Sequence, residues 1–127
     1  MNLVYLLILL ALVQFIFFTF RTWLTRDKYN VHAPKTTGDE TWERIFRVQQ
    51  NTMEQLVLFV PGMLGFAHFV SPTWALLPGV LYLLGRQVYS YLYITNPKKR
   101  APGVFLSFFS NIALVVGALI GLILQLA

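Results

Sequence analysis

Residues 3–20 read LVYLLILLALVQFIFFTF, and Gln14 is the one strongly polar side chain in the interior of that run. A helix needs roughly 20 mostly apolar residues to cross the hydrocarbon core of a bilayer. This run meets that need and extends to Leu24. No basic segment precedes it and no small-x-small cleavage pattern follows, so it reads as a span rather than a signal peptide. Three further segments follow the same logic. A second helix is expected from Trp42 to Phe69, polar at its start and apolar at its end. Asp39 or Thr41 would serve as its N-cap, and Pro61 is a candidate kink. A third covers about 73–95 after the turn VSPT, with Pro72 suited to a first helical turn. The fourth covers about 103–126 after the loop NPKKRAP. The expected fold class is therefore all-α: an integral membrane four-helix bundle, one domain over residues 1–127, with helices at about 3–24, 42–69, 73–95 and 103–126.

Composition agrees. The chain is 57% hydrophobic and 12% charged, against about 25% charged for an average soluble domain. There is no cysteine, which excludes disulfides, thiolate metal sites and a cysteine nucleophile. No metal site is expected, since His32 and His68 stand apart in the sequence and read as structural or surface residues. The net charge of +5 is too thin and too local for nucleic acid. With four spans, all ten Lys and Arg fall on one side or in its half of the membrane: Arg21, Arg26, Lys28, Lys35, Arg44, Arg47, Arg86, Lys98, Lys99 and Arg100. The positive-inside rule makes that side cytoplasmic and puts both termini opposite. Contacts with anionic lipid headgroups are expected there, at Lys98 and Lys99 above all.

The charge that is present is patterned. At 100° per residue Glu43, Arg47, Gln50, Asn51 and Glu54 share one face of the second helix, while Gln49 points nearly the opposite way. On the third helix Tyr82, Arg86, Tyr89 and Tyr93 form one stripe. Interfacial anchoring would account for Tyr91 and Tyr93. A structural Glu54–Arg86 ion pair would account for two charges at similar depth, since intramembrane charge needs a partner or a water-filled cavity. Neither explains Arg47, Gln50 and Asn51 on the same face with tyrosines opposite. Together they describe a polar pocket open to the basic side. Arginines would take carboxylates through forked hydrogen bonds, a buried carboxylate would take an ammonium, and Asn and Tyr would take amides.

The stretch ERIFRVQQNTMEQ resembles the signature of the MAPEG family, the membrane-associated proteins of eicosanoid and glutathione metabolism. The likeness is to its branch of type-two microsomal glutathione transferases and leukotriene-C synthases. The pattern Glu-Arg-x-x-Arg-x-Gln-x-Asn-x-x-Glu is filled by Glu43, Arg44, Arg47, Gln49, Asn51 and Glu54. It continues through TTG at 36–38, LYLLGRQVYSYLY at 81–93, and Arg100. The resemblance implies a homotrimer binding glutathione between subunits, near the cytoplasmic side. By motif position, Arg47, Asn51, Glu54, Tyr89, Tyr93 and Arg100 would come from one subunit, and Arg26 and Gln49 from its neighbour. Arg86 would serve a structural or network role.

Arg100 would be the catalytic residue. A free cysteine thiol has a pKa of about 8.5 and only its thiolate is nucleophilic. A fixed guanidinium beside sulfur favours the thiolate. On residue type alone, Arg100 would read as a headgroup contact. The implied activity is transfer of glutathione to hydrophobic electrophiles admitted from lipid-facing grooves, with reduction of lipid hydroperoxides as a companion reaction. Position 55 is Gln where leukotriene synthases have Tyr, and position 27 is Asp where they have a second Arg. Gln50 and Gln55 have no assigned role, and the identity of the electrophile is not legible. A non-catalytic lipid-binding scaffold of the same family departs from this residue set. A four-helix drug exporter would want an acidic residue in the first span, which has only Gln14. Ala113, Gly117 and Gly121 form a small-residue stripe suited to helix packing. Short loops and the absence of a retention signal favour a bacterial inner membrane over the endoplasmic reticulum.

Overall fold

The computed structural model describes all of residues 1–127 and contains four α-helices and no strand. They are α1 (Asn2–Leu24), α2 (Glu40–Phe69), α3 (Pro72–Thr95) and α4 (Ala101–Leu126), with a single 3-10 turn, Pro97–Lys99, before the last. Local chemistry sets the boundaries. Asp39 accepts the Trp42 main-chain N–H at 2.9 Å, so α2 starts at Glu40 and Thr41 lies inside it. Gly38, with φ +136°, turns the chain into that cap. Ser71 caps α3 by accepting from the Trp74 N–H at 3.2 Å. Helix α2 runs unbroken through Pro61.

At 30 residues, α2 is about 45 Å long at 1.5 Å per residue. That exceeds the roughly 30 Å hydrocarbon core. Its polar first turns therefore extend beyond the apolar belt. Helix α1 and the segment Pro97–Leu126 are long and apolar enough to cross a membrane by length and composition alone. Helices α2 and α3 carry the polar stripes instead.

Close contacts show that α3 runs parallel to α1 and α4 parallel to α2, as in an up-and-down bundle. Gly79 near the start of α3 meets Leu7 near the start of α1, and Gly121 near the end of α4 meets Phe69 at the end of α2. In lipid the hydrophobic effect contributes little between helices, so close approach and polar bonds matter more. A Cβ on Gly117 would lie 2.6 Å from the Phe66 ring, and one on Gly121 would lie 2.7 Å from the Phe69 carbonyl oxygen. These two glycines pack α4 on α2. Ala113, the third member of the expected stripe, lines a groove instead.

Polar links tie the remaining helices. Gln14 donates from Nε2 to the Leu83 carbonyl at 3.2 Å and to Gln87 Oε1 at 3.1 Å. Buried Trp42 donates its indole N–H to the Thr22 carbonyl at 3.1 Å. The shared core is Val4, Leu7, Ile8, Ala11, Leu56, Phe59, Met63, Ala67, Ala75, Tyr82 and Leu114. Outside it, large apolar side chains such as Leu24, Val57, Trp74 and Leu124 are exposed on every helix. Such a surface suits lipid or a neighbouring subunit rather than water.

Candidate functional site

The two expected stripes meet. Helix α2 presents Glu43, Arg47, Gln50, Asn51 and Glu54 to Tyr89 and Tyr93 of α3 around one polar cavity of about 460 Å³. Thr36, Thr37 and Phe46 complete it. The loop threonines reach the cavity because the 25–39 segment folds back on α1 and α2. Arg26 holds that fold by donating to the Val31 carbonyl at 3.1 Å and the Lys35 carbonyl at 2.7 Å. Its guanidinium lies 4.5 Å from the Trp42 ring centroid.

A second cavity of about 400 Å³ adjoins the first, and Asn51 and Tyr89 line both. Its other walls are Gln55, Arg86, Arg100, Val104, Ser107 and Phe108. Here three helices and the basic end of the bundle converge. Two glycines let them. A Cβ on Gly85 would lie 2.7 Å from the Ser107 nitrogen, and one on Gly103 would lie 2.6 Å from the Tyr89 Cα. Helix α4 therefore presses its first turn directly on the backbone that carries Tyr89.

Arg86 is the charge at the junction, with only 1% of its surface exposed. The expected Glu54–Arg86 ion pair is not formed. Arg86 instead donates both Nη groups to Asn51 Oδ1, each at 2.9 Å. Its guanidinium also lies 4.4 Å from the Tyr89 ring centroid. The reason is geometric: Glu54 is exposed at the cavity wall, whereas Asn51 sits on the inner side facing α3. The carboxylate nearest a basic nitrogen is Asp27 in the loop, its Oδ1 4.0 Å from His32 Nδ1. Tyr89 stacks on Tyr93, ring centroids 5.3 Å apart. One continuous array, Asn51–Arg86–Tyr89–Tyr93, thus runs along the boundary of the two cavities. A cation over an aromatic face and a doubly bonded guanidinium are both stabilising in a desolvated setting.

The candidate residues divide accordingly. Arg47, Asn51, Glu54, Tyr89 and Tyr93 come together in the first cavity. Arg100 stands in the second, exposed, with Nη1 donating to the Pro97 carbonyl at 2.9 Å. Arg26 and Gln49 line neither. Gln49 faces α1, where its Nε2 lies 3.5 Å from Thr19 Oγ1, and it accepts from Gln50 Nε2 at 3.1 Å. The two glutamines without an assigned role both find places: Gln50 in the first cavity, Gln55 in the second. Sequence reasoning missed Asn111, fully buried on α4 and bonded to Gln55. The available signal was a mid-helix amide in a largely apolar helix whose other polar residues are Ser107, Ser110 and Gln125.

Three guanidinium groups (Arg47, Arg86, Arg100) face two carboxylates (Glu43, Glu54) across the two cavities. The pair of cavities therefore suits a zwitterion with excess negative charge. The largest groove, about 860 Å³ and lined by side chains such as Trp74, Leu77, Leu81, Phe105 and Phe109, shares no residue with either.

A family profile described as the MAPEG family matches residues 3–120. The chain is 46% identical over 101 residues to an uncharacterised protein of Synechocystis sp., covering 80% of this chain and 74% of that one. It is 32% identical over 99 residues to human microsomal glutathione S-transferase 2, covering 78% of this chain and 67% of the relative. To bovine leukotriene C4 synthase it is 30% identical over 115 residues, covering 91% of this chain and 77% of the relative. The four-helix membrane architecture, the signature on α2 and these similarities agree: the chain belongs to the MAPEG family.

Proposed function

We propose that the protein is a membrane-bound glutathione transferase that activates the glutathione thiol for attack on hydrophobic electrophiles. The observation that carries this reading is the pair of adjoining cavities, with Asn51 and Tyr89 in the walls of both. Glutathione carries two carboxylates, one ammonium and a thiol. Its body would lie in the first cavity, with Arg47 on a carboxylate, Glu54 on the ammonium, and Asn51, Tyr89 and Tyr93 on the amides. Its thiol would reach past Asn51 and Tyr89 toward Arg100. The relatives named glutathione S-transferase and leukotriene C4 synthase support the chemistry.

Arg100 acts as an electrostatic stabiliser rather than a base, because a guanidinium stays protonated. The thiol proton goes to solvent at the open, basic end. The thiolate then attacks an electrophilic carbon: a C–S bond forms and the leaving group departs with its electron pair. With a lipid hydroperoxide the sulfur would attack the terminal peroxide oxygen, the O–O bond would break, and the alkoxide would take a proton. A second glutathione would then release water and glutathione disulfide. Arg86 keeps Asn51 and Tyr89 in place.

The assembly we propose is a homotrimer in which Arg26 and Gln49 complete a neighbour's site. Their absence from both cavities of their own chain supports this division. The active site would then face the cytoplasm, on the basic side of the membrane.

The test is made on detergent-purified protein. Glutathione should bind, generate the ultraviolet absorbance of a thiolate, and be conjugated to an aryl halide, and the mass of the assembly should correspond to three chains. Absence of binding, thiolate and turnover together would sink the transferase reading. Binding without thiolate or turnover would favour a ligand-binding scaffold.

A further inference from the structure

Gln55 and Asn111 form a linked pair whose amide orientations follow from the geometry. Asn111 on α4 lies 3.1 Å from the Gln55 main-chain oxygen and 2.9 Å from the end of the Gln55 side chain. A main-chain carbonyl only accepts, so Asn111 must present its NH2 group there. The same NH2 then requires an oxygen at the end of Gln55. Gln55 Oε1 is thereby fixed toward α4, and Gln55 Nε2 is turned away with no acceptor in the protein. Gln55 lines the Arg100 cavity. It sits one helical turn beyond Asn51, about 6 Å deeper along α2.

Asn111 is costly where it stands. It is fully buried in an apolar helix, and its Oδ1 has no donor. An unsatisfied buried acceptor costs roughly 1–3 kcal/mol, and an apolar residue of the same shape would avoid that cost. Holding Gln55 is what the amide accomplishes in return.

The cavity also has a chemical bias. Asn51 Oδ1 is occupied by Arg86, Gln55 Oε1 by Asn111, and the Ser107 hydroxyl donates to the Gly103 carbonyl. Gln55 Nε2, the Asn51 amide nitrogen, the Tyr89 hydroxyl and the Arg100 guanidinium remain as donors, flanked by apolar Val104 and Phe108. Such walls fit an apolar body that carries a hydrogen-bond acceptor.

We propose that Gln55 is a specificity determinant for the electrophile, and that Asn111 is its positioning residue. This rests on the transferase reading given above. The preferred substrates are electrophiles whose reacting carbon is conjugated to an acceptor oxygen, as in nitroarenes and unsaturated carbonyl compounds. When the thiolate adds to a chloronitroarene, the C–S bond forms and negative charge moves onto the nitro oxygens. The C–Cl bond then breaks and chloride leaves with the electron pair. A Gln55 N–H aimed at that oxygen stabilises the intermediate, while Arg100 holds the sulfur beforehand.

The experiment compares two probes, chlorodinitrobenzene and benzyl chloride, which has no conjugated acceptor oxygen. The variants are Gln55→Met, close in shape and without a donor, and Asn111→Leu. Gln55→Met should retain wild-type thiolate absorbance with glutathione. Its kcat/KM for chlorodinitrobenzene should fall on the order of a hundredfold, the lower end of the scale for losing one donor to a developing oxyanion. Its kcat/KM for benzyl chloride should stay within about twofold, since no acceptor is there to lose. Asn111→Leu should show a smaller loss with the same selectivity. Equal losses on both probes, or loss of the thiolate in Gln55→Met, would overturn the assignment. A wild-type protein that forms no thiolate would overturn the transferase reading itself, and with it this one.

Discussion

The two adjoining cavities differ in how they are built. The first is made mainly by one stripe of α2 and one stripe of α3, each spaced at helical intervals. The second draws on α2, α3 and α4, and depends on contacts that no single helix reveals. Its key approach is Gly103 against the Tyr89 backbone, and its key bond is Asn111 to Gln55. The first is the more polar, with Phe46 and the rings of Tyr89 and Tyr93 as its apolar walls. The second mixes donors with Val104 and Phe108. The contrast points to a division of labour: recognition of the glutathione body in one chamber, thiolate and electrophile in the other.

Substitutions at the boundary and on either side of it probe that division. Asn51→Leu should have the largest effect, because Asn51 belongs to both chambers. It leaves the buried Arg86 guanidinium without its acceptor, which costs roughly 2–3 kcal/mol. Thermal unfolding in detergent should show that loss, and glutathione binding and conjugation should fall together. Arg47→Ala should affect only the first chamber. Arg47 is exposed, so an affinity loss of about tenfold is expected, at the low end for a charge-assisted bond. At saturating glutathione its thiolate signal should match the wild type. Phe109→Ala, in the large apolar groove that touches neither chamber, should leave conjugation of a small aryl halide unchanged. A large loss there would mean that the groove delivers the electrophile and that the two-chamber division is incomplete.

The same contrast explains what was legible beforehand. Helical spacing is enough to gather Arg47, Asn51 and Glu54 on one side and Tyr89 and Tyr93 on the other. Apolar length marks the first and last helices, and caps, prolines and helical spacing mark the other two, with ends displaced by a residue or two where Asp39 and Pro102 set the first turns. What spacing does not encode is which partner a side chain takes across a helix pair. Glu54 and Arg86 stand at compatible depths on neighbouring helices, yet Arg86 bonds to Asn51 and Glu54 is exposed. Spacing assigns Gln55 no role because its partner is Asn111, 56 residues away on α4. Arg26 was placed by motif alone. Within its own chain it braces the loop against Trp42, a contact that depends on how residues 25–39 fold back.

The most direct test of the division is Arg100→Ala, followed by glutathione affinity and thiolate absorbance in the same sample. The expected result is a thiolate signal abolished, conjugation reduced on the order of a hundredfold or more, and glutathione affinity within a few-fold of wild type. Equal losses of affinity and thiolate would contradict it, and would place Arg100 among the residues that merely hold glutathione.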